Sequence, residues 1–170
     1  MSQPAYVHGS WLPKIPNLEL TIWVDGASMP NPGPSGAGLL VLARGRSEDW
    51  LFGCTHSLGI GGNNQAELTA LREAVAIVRA AKPARAMILS DSQVALRLLL
   101  HGKAVSLERD RTGHRRTQTW LQAAGHTSLC WVSRSHNLAH HLSQAAAHGQ
   151  AGASNVQPLG RFQRELARAV

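Results

Sequence analysis

Acidic residues are scarce in this chain. Its 170 residues hold ten Asp and Glu against seventeen Lys and Arg, a net charge of +7 with the nine His neutral. No acid occurs between Asp110 and Glu165. An excess of this sign suits a polyanionic partner, because each phosphate neutralised releases condensed counterions. Cysteine is nearly missing too. Cys54 and Cys130 sit singly inside apolar runs, with no C-x-x-C pair, which argues against a cysteine-based zinc site and predicts buried free thiols. No stretch approaches the roughly 20 apolar residues that span a bilayer. The N-terminus lacks the charged segment, apolar run and cleavage site of a secreted precursor. A cytoplasmic monomer with no membrane contact is expected. Internal repeats and single-residue tracts are also absent, and the length fits one domain.

Residues 1–17, with Pro4, Pro13 and Pro16, read as an N-terminal lead-in. Leu20, Ile22 and Val24 alternating with Thr21 and Trp23 predict a strand over 18–24. The segment Gly26 to Gly36 is dense in Gly, Pro, Asn and Ser and reads as a turn. Ala37–Ala43 and Glu48–Leu58 predict a second and a third strand, the latter ended by Gly59-Ile60-Gly61-Gly62. The period then changes. Ala66, Leu68, Leu71, Ala74, Val75 and Val78 share one face of a helix over 65–81, closed by Pro83.

Ala86–Leu89 reads as a strand, and Ser90-Asp91-Ser92 can cap a helix that Gly102 stops. A helix over 115–124, a strand over 127–132 and a helix from about Leu138 to Gly149 follow. Gln150–Gln157 is linker-like, and Gly160–Val170 has the pattern of a short basic helix. The expected domain is thus 18–148, with 149–170 as linker and tail. Three strands joined by short turns must be antiparallel, and strands reached through helices should be parallel to a neighbour. The fold class is α/β, a mixed sheet flanked by helices.

Within this frame three acids stand at element ends. Asp25 follows the first strand, Glu67 opens the first helix, and Asp91 lies between a strand and a helix. Taken singly, each has an ordinary explanation: a turn-forming Asp-Gly, a favourable helix-dipole contact and an N-cap.

Together they carry a resemblance. The run Asp25-Gly26-Ala27-Ser28-Met29-Pro30-Asn31-Pro32-Gly33-Pro34-Ser35-Gly36-Ala37-Gly38 resembles the opening signature of the type 1 ribonuclease H family. Asn63-Asn64-Gln65-Ala66-Glu67-Leu68 is similar to its second motif, and Ser90-Asp91-Ser92-Gln93 to its third. They come in family order, and the likeness covers roughly Leu18 to His148. It implies a five-stranded mixed sheet of ribonuclease H-like fold on which Asp25, Glu67 and Asp91 converge to hold Mg²⁺ or Mn²⁺. Two such ions about 4 Å apart can activate a water and stabilise a leaving oxygen at phosphorus. The implied partner is an RNA–DNA hybrid, its RNA strand cut to leave 5′-phosphate and 3′-hydroxyl ends. Asn31, Asn63, Asn64 and Gln93 match positions that contact the nucleic acid. Gly26 and Ser28 would let the backbone approach a minor groove displaying 2′-hydroxyls.

The chain departs from the family in three places. The fourth carboxylate, expected near the start of the last helix, is replaced by His140 or, counting from Asn137, by His141. The helix-packing face of Ala139, Leu142 and Ala146 favours His140. Imidazole serves Mn²⁺ better than Mg²⁺, so a site leaning toward Mn²⁺, or holding one ion weakly, is expected. The loop before that helix is short, and His136 is the nearest match to the family's loop histidine. No basic Trp-bearing protrusion is evident; Arg109 to Arg116, with Arg111, His114, Arg115 and Arg116, could replace it electrostatically. Trp11, Trp23, Trp50, Trp120 and Trp131 read mainly as core, not as base-stacking platforms. Three functions stay open: an active hybrid-specific endonuclease, a non-catalytic binding module that kept the fold, and another nuclease of the same superfamily, such as a junction resolvase or transposase-like domain.

Overall fold

The structure, a computed structural model, describes residues 17–46, 49–102, 111–150, 152–153 and 157–158. Residues 1–16 of the lead-in, the basic tail pattern over 160–170 and Arg109 lie outside the described residues. Strands β1 (Glu19–Ser28), β2 (Gly33–Arg44) and β3 (Asp49–Gly61) form an antiparallel meander. Helix α1 (Asn63–Ala81) leads to β4 (Arg85–Ser90), and α2 (Gln93–His101) and α3 (Arg111–Ala123) lead to β5 (Thr127–Trp131). A 3-10 turn (Arg134–His136) and α4 (His140–Ala147) follow. β4 pairs parallel to β1, and β5 parallel to β4. The five principal strands therefore lie in the order β3-β2-β1-β4-β5, the mixed sheet expected of a ribonuclease H-like fold.

Two further pieces add to the sheet. Gly152–Ala153 (β6) and Gln157–Pro158 (β7), inside the stretch that reads as linker, both pair antiparallel with β3.

Period-two burial puts Leu20, Ile22 and Val24 of β1 into the main core, with Leu68, Leu71, Ala74, Val75 and Val78 of α1 against them. The opposite face carries a smaller cluster of Trp23, Leu42, Leu89 and Ala139. Helix α1 lies on the first face and α4 on the second, and glycines allow both approaches. A Cβ at Gly26 would sit 2.1 Å from the Glu67 backbone nitrogen, and one at Gly38 would sit 2.3 Å from that of Ser143. Gly36 is packed as closely on Ala146 and Ala147.

These contacts revise the predicted turn. β1 runs on through Ser28 and β2 begins at Gly33, because the glycines mark helix contact and not chain reversal. β3 likewise continues through Gly59 to Gly61, pairing with Gly33–Ser35.

The thiols and tryptophans divide. Cys54 is buried and Cys130 half-buried, both free. Trp23 is buried in the smaller cluster and Trp50 and Trp120 pack against the main core, but Trp131, at the end of the outermost parallel strand, is 53% exposed. In the basic stretch Arg115 and Arg116 are exposed. His114 is buried instead, its Nε2 3.3 Å from the Gly102 carbonyl oxygen, so it adds nothing to a basic surface. Among the described residues no helix is long and apolar enough to cross a membrane.

Candidate active site

Asp25 lies on the central strand, opposite Gly38 of β2, and is almost fully buried on the α4 face. A carboxylate there is costly unless it is hydrogen-bonded or meets a cation. Its Oδ2 accepts from the Ser143 hydroxyl and lies 3.0 Å from His140 Nδ1, both on α4. Burial raises its pKa, the hydrogen bonds from Ser143 and His140 lower it, and the Asp91 charge raises it again; the net direction is upward.

Glu67 is brought beside it by the close packing of α1 on Gly26. Its pKa is pushed up to about 9, first by burial and then by the charges of Asp25 and Asp91. The Gly26 backbone and the Arg134 charge oppose this without overcoming it. Its Oε2 is buried and has no hydrogen-bond partner among the described residues.

Asp91 follows β4. The N-cap of α2 is Ser92, whose hydroxyl accepts from the Ala95 amide at 3.2 Å. Capping therefore does not occupy Asp91. Its Oδ1 instead accepts from Asn137 Nδ2 at 2.8 Å, and its carbonyl oxygen accepts from the Trp131 indole at 3.1 Å. One ligand oxygen from each of Asp25, Glu67 and Asp91 falls within 4.8 Å of the others. Three carboxylates this close cannot all ionise cheaply without a cation.

His140, not His141, is the histidine at this cluster. Its Nε2 lies 3.3 Å from a terminal nitrogen of Arg134 and 3.2 Å from the Gln144 side-chain nitrogen. A guanidinium can only donate, so Nε2 accepts and the proton is on Nδ1, where it is donated to Asp25. His141 is exposed, its ring 6.0 Å from that of His140. His136 is exposed as well, its Nδ1 2.6 Å from the Ser133 hydroxyl.

Asn31, Asn63 and Asn64 are exposed. They meet at one shallow groove with Gly62, Gln65, Leu68 and Leu98. Asn31 accepts from the Asn63 backbone N–H at 3.1 Å, tying the β1–β2 turn to the start of α1. Gln93 is exposed on the first turn of α2. Gly26 and Ser28 are buried beneath this surface. Gly26 faces α1, and the Ser28 hydroxyl donates to the carbonyls of Pro30 and Gly61, at 2.8 and 2.7 Å.

Three participants escaped the sequence reading. Asn137 is buried and its Nδ2 also donates to the Val24 carbonyl, at 2.8 Å, so one amide joins β1, Asp91 and the approach to α4. Ser143 lies under Asp25, and Arg134 reaches His140. Proximity of Asn137 to the expected acid position was the one signal present; nothing marked Ser143 or Arg134.

Comparisons with known proteins point one way. The RNase H family model matches residues 17–148. The chain is 38% identical over 72 residues to a ribonuclease H of Gluconobacter oxydans, covering 42% of this chain and 44% of that protein. It is 41% identical over 78 residues to one of Polaromonas naphthalenivorans, covering 46% and 45%. The matches thus span under half the length of these curated relatives. Among solved structures, the N-terminal RNase H domain of a Mycobacterium tuberculosis protein superposes with TM-score 0.63 at 24% identity, covering 78% of this chain and 96% of that one. An RNase H1 solved in complex with an RNA/DNA hybrid gives 0.61 at 19%, covering 76% and 97%. The last two show the fold alone. The family match, by contrast, extends from the first residues of β1 to the end of α4, across the elements that carry all three carboxylates, and the chain belongs to the ribonuclease H family.

Proposed function

We propose that this chain is an endonuclease that hydrolyses the RNA strand of RNA–DNA hybrids, leaving 5′-phosphate and 3′-hydroxyl ends. The convergence of Asp25, Glu67 and Asp91 carries the reading. It has the chemistry of a divalent-cation site: the donors are all oxygen, one is a buried unpartnered carboxylate oxygen, and burial with mutual repulsion raises two of the three pKa values. Such a donor set suits Mg²⁺ or Mn²⁺. Bound there, a pair of divalent ions supplies the charge that activates a water and stabilises the leaving 3′ oxygen.

The chain's own residues do the rest. Ser143 and His140 orient Asp25, and Asn137 orients Asp91, from outside the carboxylate set. His140 stands in place of a fourth acid, and as an imidazole beside the three carboxylates it would favour Mn²⁺ over Mg²⁺ as the ion held there. Asn31, Asn63, Asn64 and Gln93 contact the hybrid, reading the 2′-hydroxyls that distinguish RNA from DNA. Gly26 and Ser28 keep the end of β1 thin beneath them.

The test is cleavage of an end-labelled hybrid, beside duplex DNA and duplex RNA, with Mg²⁺ or Mn²⁺, by wild type and Asp25→Asn. The expected result is cutting of the hybrid's RNA strand alone, better in low Mn²⁺ than in low Mg²⁺. Asp25→Asn should lose about 1,000-fold or more, the scale on which removing a charge-organising group acts. The second reading, a binding module, draws on the histidine at the fourth-acid position; tight hybrid binding without cutting in either metal would establish it instead.

A further inference from the structure

The loop from β5 to α4 is anchored to Asp91 at two points. Trp131 holds the Asp91 carbonyl oxygen before it, and Asn137 holds the Asp91 carboxylate near its end. Arg134 opens the 3-10 turn between these anchors, and its carbonyl accepts from the Asn137 amide at 3.2 Å. Its guanidinium is therefore presented from a fixed turn. It donates to His140 Nε2, and the same ring donates from Nδ1 to Asp25. Arg134 is nonetheless exposed. The His140 contact occupies one of five N–H donors. What remains is a planar fork at the rim of a carboxylate cluster, and that geometry matches two oxygens of a phosphodiester. Holding an imidazole needs neither a permanent charge nor a second donor edge.

We propose that Arg134 is a further catalytic residue of this chain, binding the non-bridging oxygens of the scissile phosphate on the His140 side of the carboxylates. Resting on the endonuclease reading above, the assignment also explains how the site works without a fourth acid. A fixed positive charge stands where the missing carboxylate would have drawn in a cation. The same charge weakens the hold on a second divalent ion at that side. Hydrolysis forms a bond from the water oxygen to phosphorus as the bond from phosphorus to the 3′ oxygen breaks. The water releases one proton to solvent and the 3′ oxygen takes one up. Arg134 stays protonated throughout and supplies charge alone.

The experiment compares wild type, Arg134→Gln and Arg134→Lys by two readouts. The first is a calorimetric Mn²⁺ titration of the full chain without nucleic acid. The weak second Mn²⁺ should bind about tenfold tighter in Arg134→Gln, the scale of one unit charge at a partly exposed site, and as in wild type in Arg134→Lys. The second is hybrid cleavage at saturating Mn²⁺. There kcat should fall about 100-fold in Arg134→Gln, with Arg134→Lys recovering a large part of it. Superimposable isotherms for wild type and Arg134→Gln, or cleavage by Arg134→Gln within about threefold of wild type, overturns the assignment. If wild type cuts no hybrid at all, the endonuclease reading falls, and the isotherms still uphold or overturn the action of the Arg134 charge by the same criterion.

Discussion

Replacing Glu67 by Gln should make the metal-free protein more stable while removing the proposed hybrid cleavage. The Glu67 pKa is raised from 4.5 to about 9 in the folded chain. Below pH 4.5 the side chain is protonated in both states, and the substitution changes little. Above that pH the unfolded chain ionises freely and the folded chain does not, so wild-type stability falls with rising pH until the folded group also ionises near 9. Each pH unit in this window costs about 1.4 kcal/mol. At pH 7, about 2.5 pH units into the window, wild type should therefore be about 3 kcal/mol less stable than Glu67→Gln. For a chain of this size that is a difference of roughly 6–12 °C in Tm.

The assay is thermal unfolding in EDTA at pH 4.5, 6, 7 and 8. The gap should open from near zero and widen steadily. Saturating Mn²⁺ should then close or reverse it at pH 7, because only wild type offers the third carboxylate. A gap independent of pH, or a Glu67→Gln protein less stable than wild type at pH 8 in EDTA, would refute the reasoning that these carboxylates are held together against their own repulsion.

Two further substitutions probe the scaffold. Gly26→Ala places a Cβ 2.1 Å from the Glu67 backbone nitrogen; it should cost about 3 kcal/mol in urea unfolding, and an unchanged midpoint would contradict the close α1 contact. Asn137→Ala removes buried hydrogen bonds to the Val24 carbonyl and the Asp91 carboxylate. It should cost about 2–4 kcal/mol and lower hybrid cleavage about 10–100-fold, as loss of a ligand-orienting group does. Native-like stability together with native-like cleavage would show that Asp91 needs no clamp.

Periodicity placed Asp25, Glu67 and Asp91 at element ends, where each has an ordinary explanation; what made them legible as one site was the resemblance of the three runs around them to motifs of the ribonuclease H family. The order of strands and helices followed from the same periods. Strand ends were not legible around the first hairpin. Gly26 and Gly36 look like turn residues until α1 and α4 are seen lying against them, and that contact joins segments far apart in the chain. Ser143 and Arg134 were hidden for a related reason. A serine in a small-residue helix and an arginine in a short loop acquire roles only when α4 crosses β1 and sets His140 between Arg134 and Asp25. The cap of α2 could have been any of Ser90, Asp91 or Ser92 on composition. Structure gives it to Ser92 and frees Asp91. Trp131 is the exception to the mainly-core reading of the tryptophans, because β5 is the outermost strand of its side.

The far edge of the sheet bears on self-association. β3 is thirteen residues long, and a strand of that length with an open side offers a row of unpaired amides and carbonyls to any other extended chain. Pairing at Cys54–Thr55 with β6 and at Trp50–Leu51 with β7 covers that row at two places. Pro158 stands opposite Trp50 and has no amide proton to donate onward. The short segments after α4 thus shield part of the β3 edge. Removing them should leave the carboxylate cluster in place but uncover the β3 edge, so that the shortened chain associates edge to edge as its concentration rises.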